Sequence, residues 1–534
     1  MDIEILIQFV GGLGLFMYGM KMMGTGLQKA AGDRMKRFLE VLTSNRILGV
    51  LVGTGVTAII QSSSAITVMV VGFVNAGIMN LAQATGVIMG ANIGTTVTAQ
   101  LIAFELTSIA PIAIFIGVAF ILFAKNKFYR RIGEILAGFG VLFLGMSLMS
   151  HAMVPLRENQ AFLNVIAGLE NRFIGLLAGF AITAILQSSS VTVGMLQALA
   201  MQGLIDIDMA LPVIFGQNIG TCVTALLSSI GTSPAAKRAA VIHLLFNVIG
   251  TAIFMGIASV VDYGGLILSI SPGSLTRQIA NAHTIFNIVT TVILLPFASK
   301  LVNMATRLVP AKAKEDEHLL KYLDVRILQS PSIAVVQAVK EVVRMGEIAQ
   351  QNFTNAYKAF MEQDENLIEQ VLEREKVLNY LNREITKYLV DISNLPLNFE
   401  ESKIITGIYH SVVDFERIGD HAENLTELAE YRIENNLVFS DEAVEELNDM
   451  YGKVNAIVVD SIKALKDGDK ELAATIEPRE AEIDTLEETL RKSHIARLNN
   501  QQCLPASGVI FLDVVNNLER VADHASNVAY TVLD

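Results

Sequence analysis

Gln61-Ser62-Ser63-Ser64 recurs as Gln187-Ser188-Ser189-Ser190, 126 residues later and again inside an apolar stretch. Four consecutive polar side chains are out of place at membrane depth unless they line a cavity or hold a ligand. The repeat runs well beyond the tetrads. Gly49, Gly53, Thr57 and Ala58 match Gly175, Gly179, Thr183 and Ala184 at the same offset. Gly90-Ala91-Asn92-Ile93-Gly94-Thr95 matches Gly216-Gln217-Asn218-Ile219-Gly220-Thr221, and Gly14, Gly19 and Met20 match Gly140, Gly145 and Met146. Two registered copies of a polar-interrupted apolar segment point to a transporter whose substrate site lies where the copies meet.

Charge divides the chain in two. Residues 1–300 hold 16 Lys+Arg and 11 Asp+Glu, while the remainder holds 24 and 42, so a sparsely charged part precedes a strongly acidic one. The acidity argues against a nucleic-acid partner. With only Cys222 and Cys503, no disulfide framework is expected. Met1 to Glu4 carry no basic leader, so the opening apolar stretch reads as a retained first helix. Apolar segments near 6–28, 81–104, 108–124, 132–150, 209–231, 239–261 and 278–298 read as seven crossings of the lipid bilayer. Residues 47–77 and 173–204 are too long for one span and short for two, and read as re-entrant hairpins. Lys29, Arg34, Lys36, Arg37 and Arg46, then Lys125, Lys127, Arg130 and Arg131, then Lys237 and Arg238, then Lys300, Arg307, Lys312 and Lys314 all fall on one side. By the positive-inside rule that side is the cytoplasm, which leaves the N-terminus outside and the C-terminal part in the cytoplasm. Three crossings separate equivalent points of the repeats, at about 11–124 and 133–250, so the copies are inverted.

The expected fold is therefore all-α: a membrane domain over 1–310, its last span near 278–298, then a soluble helical domain over 315–534. Breaks near Ser330-Pro331, Asn394-Leu395-Pro396, Phe439-Ser440-Asp441, Asp467-Gly468-Asp469 and Leu504-Pro505 predict about six helices in two three-helix halves. These halves repeat as well: Glu416-Arg417-Ile418-Gly419-Asp420-His421 matches Glu519-Arg520-Val521-Ala522-Asp523-His524.

A hairpin interrupted at each tetrad leaves unpaired amides at the start of its second half, which attract anions. Gln61, Ser62, Ser63 and Ser64, with Gln187, Ser188, Ser189 and Ser190, add neutral donors, and their oxygens also suit Na⁺. No Lys or Arg occurs in 47–77 or 173–204. A multivalent anion held there alone would bear a desolvation cost of several kcal/mol, which co-bound cations relieve. Asn92, Thr95 and Thr96, and Asn218, Thr221 and Thr224, read as second breaks that add oxygen ligands. Close packing through small residues is the competing account of the serines and glycines. His243/Asn247 and His283/Asn287, each in an HxxFN pattern, read as inter-helix hydrogen bonding rather than as ligands.

Paired QSSS runs with GANIGT-like segments resemble the type II sodium–phosphate cotransporter family, whose bacterial members often carry a PhoU-like domain. The resemblance implies a Na⁺-coupled symporter importing inorganic phosphate across the plasma membrane, with both tetrads at the phosphate and sodium sites. It assigns no division of these groups between the two ions. A membrane phosphate sensor without net transport is the alternative. Glu416 and Asp420, with Glu519 and Asp523, resemble the E/DxxxD motif of PhoU-like proteins, which implies a divalent or trivalent metal; pairing with Arg417 and Arg520 is the competing account. No phosphate-binding P-loop, nucleophile elbow or spaced zinc motif is present, so the chain is not read as an enzyme. Oligomeric state stays open, a homo-oligomer included.

Overall fold

The repeated sequence is a repeated set of helices. The computed structural model describes residues 3–31, 46–310 and 320–533, and it is 87% helical. Arg34, Lys36, Arg37, Lys312 and Lys314, which entered the charge argument, lie outside the described residues, as does the junction expected at 310–315. The chain divides into two units, Met1–Lys312 and Ala313–Asp534.

In the first unit, Arg46–Ile60 and Ser63–Asn75 form one hairpin, and Arg172–Leu186 and Ser189–Met201 form the other. Arms of 15 and 13 residues reach about 20 Å at 1.5 Å per residue, short of a bilayer's hydrocarbon thickness. Each break is made in the same way. Gln61 (φ 61°) and Gln187 (φ 54°) take left-handed backbone, and each amide closes the first arm on Thr57 or Thr183 at 2.7 Å. Ser62 and Ser188 then turn extended and cap the second arm, their hydroxyls accepting from the amides of Ala65 (3.2 Å) and Val191 (3.4 Å). A serine N-cap starts a helix because it satisfies one of the orphan amides.

Behind each hairpin lies a broken helix: Leu81–Gly94 then Thr96–Ile102, and Ile207–Gly220 then Cys222–Ser228. The apolar stretch over 81–104 is thus two helices that meet at Thr95, the break expected at Asn92, Thr95 and Thr96. The cause is local: Asn92 Nδ2 donates to the Ile88 carbonyl (2.8 Å) and Thr96 Oγ1 to the Ile93 carbonyl (2.7 Å), side-chain bonds that compete with the helical ladder. Among the described residues, six helical stretches are long and apolar enough to cross a membrane: Ile3–Ala30, Leu106–Phe123, Lys127–Glu158, Ile207–Ser228, Pro234–Val260 and Leu275–Leu308. The segment between Lys127–Ala152 and the second hairpin is not a plain loop. It holds the helix Gln160–Ala167 and turns by 106° before Arg172–Leu186. Likewise Tyr263–Ile270 is a helix within the expected 262–277 loop.

The second unit consists of Pro331–Glu362, Glu365–Ser393 and Phe399–Glu434, then Asp441–Asp467, Ile476–Asn499 and Pro505–Leu533, with the short helix Lys470–Ala474 inserted. One break was not foreseen. The long segment after Pro331 divides at Gln363, which takes φ 57° without a glycine, and Asp364 caps the next helix through the Asn366 amide at 2.9 Å. The stretch before Ser330 is a single turn, Val325–Gln329, rather than a sixth helix.

Candidate functional site

The two tetrads meet. Ser64 Oγ donates to the Gln187 carbonyl oxygen at 3.3 Å, joining one hairpin tip to the other. Thr95 Oγ1 and Ser189 Oγ lie 3.3 Å apart. Thr98 ties the halves together again: its hydroxyl donates to Gln61 Oε1 (2.6 Å) and accepts from Ser190 Oγ (3.4 Å). Ser63, Ser189, Ser190, Thr95 and Thr98 are all buried. In each second arm the first two amides, Ser63 and Ser64 or Ser189 and Ser190, precede the reach of the helical ladder. Two helix N-termini and a ring of hydroxyls therefore converge with no cationic side chain in either hairpin core, an arrangement that favours an anion beside hard cations.

The copies are not equivalent. Gln61 is buried and bonded, whereas Gln187 is exposed. Thr95, in the first repeat's broken helix, reaches across to Ser189, but its counterpart Thr221 bonds within its own helix to the Asn218 carbonyl at 2.7 Å. Asn92 and Thr96 also bond within their own helix. Asn218 Nδ2 donates to the Ile214 carbonyl (3.0 Å), while Asn218 Oδ1 lies 3.3 Å from His283 Nε2. Thr224 Oγ1 is buried without a partner among the described residues. Of the predicted residues, Ser64 pairs directly with Gln187 and Thr95 with Ser189, Gln61 and Ser190 are joined through Thr98, and Asn92, Thr96, Asn218 and Thr221 bond within their own helices.

Thr98 is the residue the sequence reading missed. It lies 126 positions before Thr224, so strict use of the repeat register pairs these two, whereas the position equivalent to Thr96 is Cys222. Thr98→Val removes the donor to Gln61 and the acceptor for Ser190 at nearly constant volume. Transport is expected to fall by about tenfold or more, on the order of one or two hydrogen bonds in a dry site, with Thr98→Ser restoring most of it; initial uptake rates measure both.

The inter-helix hydrogen bonding expected of His283 is present: its ring meets Gln217 (3.5 Å) and Asn218 (3.3 Å) on the second broken helix. The network continues from Asn218 through Cys222 to Asn247 Nδ2, 3.3 Å from Cys222 Sγ. His243 lies beside it with both ring nitrogens unpartnered among the described residues.

In the second unit the acidic pairs face arginines. Arg417 reaches Asp420 at 3.0 Å and Glu416 at 4.0 Å; Arg520 reaches Glu519 at 3.5 Å and Asp523 at 3.8 Å. Among the described residues no group of three His, Cys, Asp or Glu side chains is spaced to hold a metal ion. Paired with Arg417 and Arg520, these carboxylates do not form a preformed metal centre. The two halves instead exchange partners: His421 Nδ1 meets Asn517 at 2.8 Å and His524 Nδ1 meets Asp414 at 3.0 Å. Burial holds His421 below the usual imidazole range and raises Glu416 and Glu519 above the usual carboxylate range.

Glu375, also buried, is pushed up to about 7, first by burial and then by the charges of Asp420, Glu423 and Glu416. A carboxyl raised in the folded state keeps a proton that the unfolded chain releases from its ordinary 4.5 upward. Its contribution to stability is therefore full at low pH and is lost as pH rises toward 7. Thermal unfolding of an Ala313–Asp534 fragment is expected to move to lower temperature between about pH 5 and about pH 8, and Glu375→Gln to flatten that slope.

Two joined hairpins around an internal polar cluster are the arrangement in which carriers hold their substrates, and the comparisons point to phosphate transport. The Na+/Pi-cotransporter family model matches residues 15–151 and 158–272, and the PhoU domain model matches 342–429 and 447–532. The chain belongs to the Na+/Pi-cotransporter family and carries a C-terminal PhoU domain. It is 26% identical over 538 residues to the candidate inorganic phosphate export protein YjbB of Salmonella typhimurium, covering 99% of this chain and 97% of that one. The uncharacterized protein YqeW of Bacillus subtilis is 32% identical over 269 residues, 50% of this chain and 87% of that one. A shorter stretch of 98 residues, 18% of this chain and 15% of the relative, is 37% identical to sodium-dependent phosphate transport protein 2A of Rattus norvegicus. Family and fold together support a phosphate-transport function in a multi-pass membrane protein.

Proposed function

We propose that this chain is a Na⁺-coupled phosphate symporter whose substrate site is the junction of the two tetrads, and that an inward Na⁺ gradient drives phosphate into the cell. The observation that carries this reading is the hydrogen-bonded cluster of Ser64, Thr95, Thr98, Gln187, Ser189 and Ser190 with no Lys or Arg in either hairpin core. A dianion in a neutral, dry cradle needs counter-charge, and Na⁺ bound to the same oxygens supplies it. Asn92, Thr96, Asn218, Thr221 and Thr224 act from the next layer, shaping the broken helices. The basic residues Lys29, Arg46, Lys125, Lys127, Arg130, Arg131, Lys237, Arg238, Lys300 and Arg307 support an outside N-terminus and a cytoplasmic PhoU domain, which would regulate the carrier.

The test is uptake of radiolabelled phosphate by proteoliposomes under Na⁺, K⁺ and H⁺ gradients compared side by side. Uptake that ignores Na⁺ removes the coupling. The similarity to YjbB favours a second reading, export, because a symporter runs in whichever direction the summed gradients dictate. Efflux from phosphate-loaded vesicles that needs no outward Na⁺ gradient would establish that reading instead. Saturable binding with flux in neither direction would mark a sensor. Metal binding by Glu416, Asp420, Glu519 and Asp523 stays a separate proposal that requires Arg417 and Arg520 to swing away; elemental analysis of gently purified protein decides it.

A further inference from the structure

The helix Leu275–Leu294 has 20 residues, enough by itself to cover the hydrocarbon of a bilayer. The chain does not stop there. It carries on through the short turn Leu295–Phe297 into Ala298–Leu308. The whole run, Leu275–Leu308, has 34 residues and reaches about 51 Å at 1.5 Å per residue, against about 30 Å of hydrocarbon. Ala298–Leu308 therefore reaches the headgroup layer. Its residue types divide around the helix axis into three stripes. Ala298, Leu301 and Ala305 are buried. Ser299, Asn303 and Thr306 are exposed, polar and uncharged. Phe297, Lys300, Met304, Arg307 and Leu308 are exposed as well, and mix large apolar side chains with cations. At 3.6 residues per turn the centres of the three stripes lie roughly 120° apart.

Each stripe suits a different surrounding. The first packs on protein and the second suits water, but the third fits neither water nor hydrocarbon. Phe297, Met304 and Leu308 are costly to leave in water, and Lys300 and Arg307 are costly to place in the bilayer core. Such a mixture is stable at the bilayer interface, where apolar parts lie among acyl chains and cationic heads reach the headgroups. Local contacts hold the stripe in this form. Lys300 Nζ stands over the Phe297 ring, 4.9 Å from its centroid, so cation and aromatic share one place. At the far end, Arg238 Nε donates to the Val309 carbonyl at 2.9 Å. That bond satisfies one of the carbonyls left open where the helix ends, and adds a third cation at the end that carries Arg307. Among the described residues, Arg238, Lys300 and Arg307 pair with no carboxylate.

We propose that the stripe from Phe297 to Leu308 is a docking surface for anionic phospholipid, with Lys300 and Arg307 holding headgroup phosphates and Phe297, Met304 and Leu308 lying against the acyl chains. Charge-assisted hydrogen bonds to phosphate suit both cations, and the apolar members of the stripe select a lipid over a free anion. On the topology proposed above, this end of the run faces the cytoplasmic leaflet, whose surface is negative. The inference rests on that reading for its leaflet alone.

Native mass spectrometry of the full-length protein in detergent compares retention of phosphatidylglycerol with that of phosphatidylcholine of identical acyl chains, with glycerol 3-phosphate as the soluble competitor. Phosphatidylglycerol is expected to be retained preferentially, and Lys300→Gln combined with Arg307→Gln to weaken that retention by about tenfold or more, the order of two basic side chains at a charged surface. Lys300→Arg combined with Arg307→Lys should keep it, which separates charge from shape. Spin labels give a second readout that holds even where the neutral variant unfolds early. They are placed at Met304→Cys or Thr306→Cys in Cys503→Ser protein, Cys222 being buried, in liposomes containing phosphatidylglycerol. The label at 304 is expected to be reached by lipid-soluble oxygen and the label at 306 by a water-soluble nickel chelate. Neither measurement involves transport, so its outcome is independent of Na⁺ coupling. Equal retention of the two lipids, retention unchanged in the neutral double variant, displacement of the lipid by glycerol 3-phosphate, or the opposite pattern of label access overturns the proposal.

Discussion

Gln61→Gly and Gln187→Gly combined are expected to leave the protein folded and to lower Na⁺-driven phosphate uptake by at least about a hundredfold. Both glutamines hold left-handed backbone, at φ 61° and 54°. A non-glycine residue there costs on the order of 1–3 kcal/mol, and glycine adopts that conformation freely. The substitution thus relieves backbone strain at two positions while it deletes both amides. Gln61 loses its 2.6 Å bond from Thr98 and a bond to the Ala58 carbonyl, and the exposed Gln187 loses its reach toward a ligand. Each hydrogen bond to a charged ligand contributes about 1.5–3 kcal/mol, so two together amount to a factor of about a hundred or more. An unfolding temperature equal to or above that of the parent, with uptake gone, places the amides in the transport step. Uptake that survives in the folded double variant removes the tetrads from the site.

The second large effect is on stability. Gly90 and Gly216 occupy equivalent positions where each hairpin's first arm presses on the helix behind it. A Cβ at Gly90 would strike the Val50 carbonyl oxygen, and one at Gly216 the Leu176 carbonyl oxygen. Because the obstacle is backbone, no side chain can turn aside. Gly90→Ala and Gly216→Ala are each expected to cost about 1–3 kcal/mol, as overpacking does in dense interiors, and to lower unfolding temperature and uptake together. Gly14→Ala is the control, since a Cβ there meets nothing within 4 Å and should change neither.

Much of the fold was legible because the repeat is written in small and polar residues. A Gln in left-handed backbone followed by a capping Ser ends one helix and starts another by local chemistry, so the breaks at Gln61 and Gln187 could be placed from sequence. The same holds in the second unit for Gly468 (φ 64°). Gln363 adopts equally left-handed backbone with neither glycine nor proline beside it, so composition offered no signal for that break. The site was legible only in outline. Thr98 looks like any transmembrane threonine until the other hairpin's Ser190 arrives 3.4 Å away. His283 shows the same limit: its HxxFN pattern matches that of His243, but only His283 lies against Asn218.

The sequence by itself determined the inverted repeat, the two hairpin breaks and the absence of cationic side chains from their cores, because each is a matter of residue type and register along the chain. Tertiary structure alone decided which side chains join the tips, that Gln61 is buried while Gln187 stays exposed, and that Thr95 bonds across to Ser189 while its counterpart Thr221 does not. The physical reason is that identical segments carry identical local preferences, but two copies of one chain have different neighbours. Here Thr95 meets Ser189, while Thr221 finds its nearest acceptor in its own helix.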